Sequence, residues 1–266
     1  MQSNETVNIL FIGDIVGKPG RNIVKAVLPK LIQSYKIELV IANGENAAGG
    51  FGITEKVAEE LFSLGVDIIT TGNHVWDKKE AVPYIAKESR ILRPINYPEG
   101  VLGAGSIVFR TRKNNLVGVI NASGRVFMNT LECPFRATKK EIERIKDETN
   151  IIVIDFHAEA TSEKLAYAFY FDGKVSAILG THTHVQTADE RILPKGTAYI
   201  TDVGMTGPEN SIIGFNEDEV IEKFLTQMPK KFEVPSAPSI LSAVFVEVDS
   251  NTGLSKKIER LNIRQS

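Results

Sequence analysis

Between Val7 and Glu80 the chain repeats one pattern three times: an apolar run, a polar loop, then apolar residues at helical spacing. The runs are 7–12, 37–42 and 66–70. Short apolar runs of this kind suit strands buried on both faces. After the first comes a loop, 13–20, and then Ile23, Val24, Val27, Leu28, Leu31 and Ile32 on one stripe of an amphipathic helix. After the second, Asn43-Gly44-Glu45-Asn46 and a glycine-rich loop lead to a helix that Thr54 caps and Gly65 stops. After the third, Asp77 and Glu80 form a capping-box-like helix start. Strand, loop and helix in alternation make a parallel sheet with helical crossovers, so the expected class is α/β.

The later chain is less regular. Strands at 106–109 and 116–121 suit a hairpin around Lys113-Asn114-Asn115, and 122–136 reads as a flap carrying Arg125, Phe127, Met128 and Phe135. Thr138 with Glu141 predicts a second capping box opening a charged helix. Two more strand-and-site units follow, 151–156 with His157 and 175–179 with His182 and His184, with a helix at 162–170 between them. A strand at 197–202, a loop at 204–208, a helix at 217–227 and a final hairpin turning at Asn251-Thr252-Gly253 complete the chain. No repeat or linker interrupts it, so one domain over 1–266 is expected.

Charge and cysteine content exclude several classes. A net charge of −2, with scattered lysine pairs, argues against an extended nucleic-acid or anionic-membrane surface. The single cysteine, Cys133, excludes an internal disulfide and thiolate metal clusters. The polar start, 1–6, and the short apolar run after it suit neither a signal peptide nor a spanning helix, so a cytoplasmic protein is expected.

All four histidines follow apolar runs: His74, His157, His182 and His184. The last two are one residue apart in Gly180-Thr181-His182-Thr183-His184. In an extended loop such a pair would project to one side, serving one metal centre or straddling two. Strand ends also deliver Asp14, Glu45, Asn46 and Asn73. Ligands of open α/β sheets bind at the carboxyl ends of strands, which would gather these residues on one rim. Two carboxylates, two carboxamides and four imidazoles suit Fe, Mn, Zn or a related ion and disfavour Ca²⁺. Eight candidates exceed the needs of one ion. Two ions sharing a carboxylate are the economical arrangement, as in two-metal phosphoryl-transfer sites.

The motifs Gly13-Asp14, Gly44-Glu45-Asn46, Gly72-Asn73-His74, the lone His157 and Gly180 to His184 resemble those of the calcineurin-like metallophosphoesterases. Longer phrases around them, and 201–208, are similar to the bacterial YmdB-like subgroup. The resemblance implies a four-layer α/β/β/α sandwich and a dinuclear phosphodiesterase acting on small phosphodiesters such as 2′,3′- or 3′,5′-cyclic nucleotides. It places Asp14, Glu45, Asn46 and His184 on one ion. By the same resemblance Asn73, His157 and His182 would hold the other with Glu45 as the bridge, a metal-bridging hydroxide would attack, and His74 would donate the proton to the leaving group. Two departures from the wider superfamily stand out: Val16 where a histidine ligand is usual, and Glu45 where the bridge is usually aspartate. The subgroup shares both, with Asn46 in the vacant ligand position. A homo-oligomer is a family-level expectation. A phosphomonoesterase and a non-catalytic metal- or nucleotide-sensing regulator are the alternative readings.

Overall fold

The computed structural model describes residues 6–264. The polar lead-in at 1–5, on which the signal-peptide reading turned, lies outside them. Among the described residues no helix is long and apolar enough to cross a membrane.

In chain order the first half comprises β1 (Thr6–Ile12), β2 (Asp14–Ile15), α1 (Gly17–Ser34), β3 (Leu39–Asn43), α2 (Glu55–Ser63), β4 (Ile68–Thr70), α3 (Val82–Ile85), β5 (Ile91–Leu92), β6 (Ser106–Arg110) and β7 (Leu116–Ser123). The second half comprises α4 (Pro134–Ile145), β8 (Ile152–His157), α5 (Thr161–Phe171), β9 (Ala177–Thr181), β10 (Arg191–Ile192), β11 (Ala198–Ile200), β12 (Met205–Pro208), α6 (Glu217–Thr226), β13 (Ser239–Asp249) and β14 (Ser255–Arg264). One sheet runs β2-β12-β13-β1-β3-β4-β5, with β14 also paired to β13; the other runs β10-β11-β9-β8-β7-β6. The pairs β1–β3, β3–β4, β7–β8 and β8–β9 are parallel.

Strand side chains alternate between faces, and here both faces are apolar. Val7, Ile9 and Phe11 point into one buried cluster while Leu10 and Ile12 point into another. Val153 alternates in the same way with Ile152, Ile154 and Phe156. The cluster shared by both sheets is the centre of a sandwich. The other two pack each sheet against its own helices, α1 and α2 on one side, α4 and α5 on the other. The order is helix, sheet, sheet, helix, as expected.

Several local expectations are corrected. The loop predicted at 13–20 is mostly structured: Asp14 and Ile15 form β2, and α1 begins at Gly17. Pro19 is tolerated there because first-turn N–H groups have no partner within the helix. Thr54 does cap α2, accepting from the Val57 N–H, and Gly65, at φ +105, follows the helix end. Asp77 starts no helix; its carboxylate is drawn to His74 instead. Thr138 lies inside α4, because Pro134 in the first turn already supplies helical φ. Its hydroxyl accepts a 2.6 Å hydrogen bond from Tyr167. Residues 204–208, expected as a loop, supply β12, buried and paired to both β2 and β13. The segment expected at 122–136 is shorter: Ala122 and Ser123 finish β7 and Pro134 opens α4. Between them the Arg125 and Val126 N–H groups donate to the Glu163 carboxylate, and Phe127 stands 88% exposed.

Candidate metal centre

Both sheets end their parallel strands on one rim, and the expected residues stand there. Asp14 opens β2, with one residue between it and the end of β1. Glu45 and Asn46 follow β3, Asn73 and His74 follow β4, His157 is the last residue of β8, and His182 and His184 follow β9. The first sheet thus supplies carboxylates, carboxamides and His74, and the second supplies three imidazoles. Gly72 lets the two edges meet. A Cβ at this position would sit 2.3 Å from both Glu45 Oε2 and His157 Nε2.

One group centres on His157. Its Nε2 lies 3.0 Å from Glu45 Oε1, 3.0 Å from Asn73 Oδ1 and 3.0 Å from His182 Nδ1. Ligand atoms of Glu45, His157 and His182 all fall within 4.8 Å of one another. Hydrogen bonds behind the rings fix their tautomers. The Thr181 hydroxyl donates to Asp155 Oδ1 at 2.7 Å, so it accepts from His157 Nδ1, 2.8 Å away. His182 Nε2 is 3.2 Å from the Glu159 carboxylate and carries the other proton. With the neutral rings in these tautomers, four lone-pair atoms converge, an arrangement that calls for a positive charge, whether a proton on His157 or a metal ion.

The electrostatics agree. Burial pulls the His157 pKa down, yet the Glu45 carboxylate pushes it up to about 9. Burial opposes ionisation of Glu45, but His157 lowers its pKa to about 2. His182, desolvated and beside His157, is lowered to about 3. Behind them burial raises Asp155 to about 6, although Thr70 and Thr181 donate to its carboxylate.

The second group is looser. His184 Nδ1 donates to the Ile213 carbonyl at 2.8 Å, which leaves Nε2 facing inward. That nitrogen lies 3.1 Å from the Asn46 carboxamide and 3.9 Å from Asp14 Oδ1. Asp14 is fully buried. Its Oδ2 accepts from the His182 N–H at 3.2 Å, while Oδ1 has no hydrogen-bond partner among the described residues. A buried, unsatisfied carboxylate oxygen is costly, and a cation between it and His184 would remove the cost. Burial raises the Asp14 pKa, against the pull of His184 and His157. Glu45 Oε1 reaches this group too, 3.4 Å from the Asn46 carboxamide. The donors are nitrogen and oxygen throughout, and they fit first-row transition ions.

The loop bearing His182 and His184 is not extended. Both residues have left-handed φ, +103 and +67, so they face different groups rather than one. Such backbone conformations cost roughly 1–3 kcal/mol each and persist only when surroundings impose them. Here a buried ion pair does so. Lys164 Nζ donates to Asp202 Oδ2 and to the Thr181 carbonyl, each at 2.8 Å. Asp202 Oδ2 also accepts from the Thr183 N–H and hydroxyl, and Oδ1 accepts from the Gly204 N–H. Neither residue was singled out from the sequence. The signal was present: Lys164 lies on the same helical stripe as Tyr167, Ala168 and Phe171, all buried.

His74 stands at the lip of the centre. Its N–H donates to Glu45 Oε2 at 3.2 Å, its Nδ1 lies 2.8 Å from Asp77 Oδ2, and its ring meets Phe51 edge-on. The glycine loop before α2 folds back on itself, the Gly50 N–H donating to the Asn46 carbonyl, and so places Phe51 against Phe215. Of the three acids flanking histidine motifs, Glu159 touches His182 directly and Asp155 acts on His157 through Thr181. Asp189 instead binds Thr187 and Thr201. Glu45, Asn46, His74, His182 and His184 line a cleft of about 610 Å³.

Known proteins place this geometry. The chain is 50% identical over 257 residues to a 2′,3′-cyclic-nucleotide 2′-phosphodiesterase of Bacillus subtilis (strain 168), covering 97% of each protein. A solved structure of a novel phosphatase from Mycoplasma pneumoniae superposes with a TM-score of 0.92 at 40% identity, over 98% of this chain and 94% of that one. A hypothetical protein from Thermus thermophilus superposes with a TM-score of 0.92 at 39% identity, over 98% of this chain and 100% of that one. The family model described as YmdB-like protein matches residues 10–261, and the chain belongs to that family.

Proposed function

We propose that the protein hydrolyses small phosphodiesters, 2′,3′-cyclic nucleotides foremost, with two transition-metal ions held across the two groups. Asp14, Asn46 and His184 would hold one ion, and Asn73, His157 and His182 the other. The carrying observation is Glu45, whose Oε1 lies 3.0 Å from His157 Nε2 and accepts a 3.4 Å hydrogen bond from Asn46 Nδ2. A carboxylate touching both groups is the shared ligand that such a pair needs. The nitrogen and oxygen donor set favours iron or manganese, with zinc also compatible. The activity named for the Bacillus subtilis relative supports this substrate class.

When bound, such ions supply Lewis acidity toward phosphoryl oxygens and a nucleophile at neutral pH. The chain's own residues supply placement and a proton. Asp77 engages His74 Nδ1 and orients the ring, so Nε2 is the nitrogen presented to the cleft. As a water that has lost one proton to solvent adds to phosphorus as hydroxide and the bond to O2′ breaks, His74 gives that oxygen its proton and is reprotonated from solvent. A 3′-phosphomonoester and a free 2′-hydroxyl result. Phe51, edge-on to His74, restricts water on that side.

The test is turnover of 2′,3′-cyclic AMP by protein loaded with manganese or iron, with products resolved by phosphorus NMR. The expected product is 3′-AMP, and turnover should stop with chelator. His74→Ala should keep its metal and lose about 10²- to 10⁴-fold in rate. It should lose much less on an ester whose leaving group needs no proton. No hydrolysis of the cyclic nucleotide with Mn, Fe or Zn would overturn the reading.

A further inference from the structure

The phosphate chemistry accounts for the floor of the cleft and not for its wall. The floor carries Glu45, Asn46, His74, His182 and His184, whereas the wall is built from Phe51, Ile213, Phe215, Phe224 and Phe232. Phe51 and Phe215 stack at 5.0 Å with 20° between their planes, and Phe232 leans on Phe215 at 5.5 Å. With Phe215 only 6% exposed, this trio is a fixed platform. Phe224, in the last turn of α6, is different: it lines the same cleft yet is 74% exposed. Ile213, lining the same cleft, is 49% exposed, and its carbonyl orients His184.

An ester with small polar substituents would reach the floor and leave these rings in water. A ligand with an anionic end and a flat apolar end would cover both. We propose that the wall is a nucleobase site, where the base packs against Phe224 and the Phe51–Phe215 platform while the cyclic phosphate meets the floor. The assignment rests on the phosphodiesterase reading above and specifies how its substrate is held. A cleft of about 610 Å³ is within the usual range for small-molecule sites. The contact is unselective among bases. Every base offers a π-face, and discrimination by hydrogen bonding needs polar groups committed to the ligand. The two polar side chains on this wall are each turned back on α6 by one exposed hydrogen bond, Lys223 Nζ donating to the Gln227 carbonyl and Gln227 Nε2 to the Phe224 carbonyl.

The experiment compares 2′,3′-cyclic AMP with glycerol 1,2-cyclic phosphate, which has the reacting ring and no base, in wild type, Phe224→Ala and Phe224→Trp. Phe224 is exposed, so neither change threatens folding. In Phe224→Ala the KM for 2′,3′-cyclic AMP should rise about 5- to 100-fold relative to that for the glycerol ester, the worth of one base–aromatic stack. The kcat should move much less, and Phe224→Trp should restore KM. The four 2′,3′-cyclic nucleotides should agree in kcat/KM within about tenfold, since stacking tolerates any base. Parallel losses on both esters, no change on the nucleotide, or a strong preference for one base would overturn the proposal. So would a Phe224→Ala protein that dissociates from dimer to monomer in light scattering with its nucleotide KM intact; the face would then join copies of this chain. If wild type turns over neither ester, the proposed activity falls. Calorimetric binding of 2′,3′-cyclic AMP to the same three proteins then decides the base site by itself.

Discussion

His157 Nε2 lies 3.0 Å from each of Glu45, Asn73 and His182, and the far nitrogen of each ring is tied to a side chain, Thr181 or Glu159. His184, across the same rim, stands 3.9 Å from Asp14 Oδ1, and its far nitrogen hangs on the carbonyl of Ile213, a half-exposed loop residue at φ +47. In the first group His157 ends β8 and His182 follows the paired end of β9, and their far nitrogens are held by side chains, while Glu45 and Asn73 come from the loops after β3 and β4. The second spans β2, the loop after β3, and a loop that must itself be fixed. Ordering loose groups costs conformational freedom that ordered ones have already lost. The His157 side should therefore bind its ion more tightly, and the Asp14 side should be the one that exchanges.

The largest effect is expected where both groups share an atom. Glu45→Ala should remove both metal equivalents by elemental analysis and lower turnover by about 10³-fold or more, several kcal/mol of transition-state stabilisation. If one equivalent survives at full affinity, Glu45 is not shared. Asp14→Ala should be lopsided, releasing one equivalent while the His157 side keeps its own. Loss of both together would show that the two sides are not independent. Lys164→Met leaves Asp202 buried without its cation, and should cost about 3–5 kcal/mol of stability in denaturant unfolding. Unfolding at the wild-type midpoint would mean that the left-handed loop needs no such clamp. The smallest expected change is Thr181→Val, which deletes the acceptor for His157 Nδ1 and should weaken metal binding about 10- to 100-fold on the tight side. An equal weakening on both sides would erase the contrast drawn above.

Where the chain spoke locally, the sequence was readable. Thr54 caps α2 as expected because its hydroxyl needs only a backbone N–H three residues away. Misreadings arose where a local motif met a distant partner. Asp77 and Thr138 both fit capping boxes, but His74 claims the first and Tyr167 the second. Residues 204–208 carry loop composition, yet β2 and β13 offer them backbone partners from distant parts of the chain. Nothing near Lys164 in the sequence marks it for a buried ion pair, because its counter-ion Asp202 lies 38 positions away.

The amino-acid order by itself determined the α/β alternation, the strand ends, and the eight polar residues carried to them. A strand's apolar run and the loop after it are short-range features, and the carboxyl-end rule converts them into one rim. The resemblance had already divided that set in two; tertiary structure alone decided what holds each half. The left-handed turn of His182 and His184 sends one imidazole to each group, and the orphaned oxygen of Asp14 appears only once four layers have closed over it. The aromatic wall also depends on packing, since Phe51 and Phe215 are 164 positions apart and meet because two loops share the rim. Burial, strain and ring contact belong to pairs of distant segments, and no window of sequence contains both members.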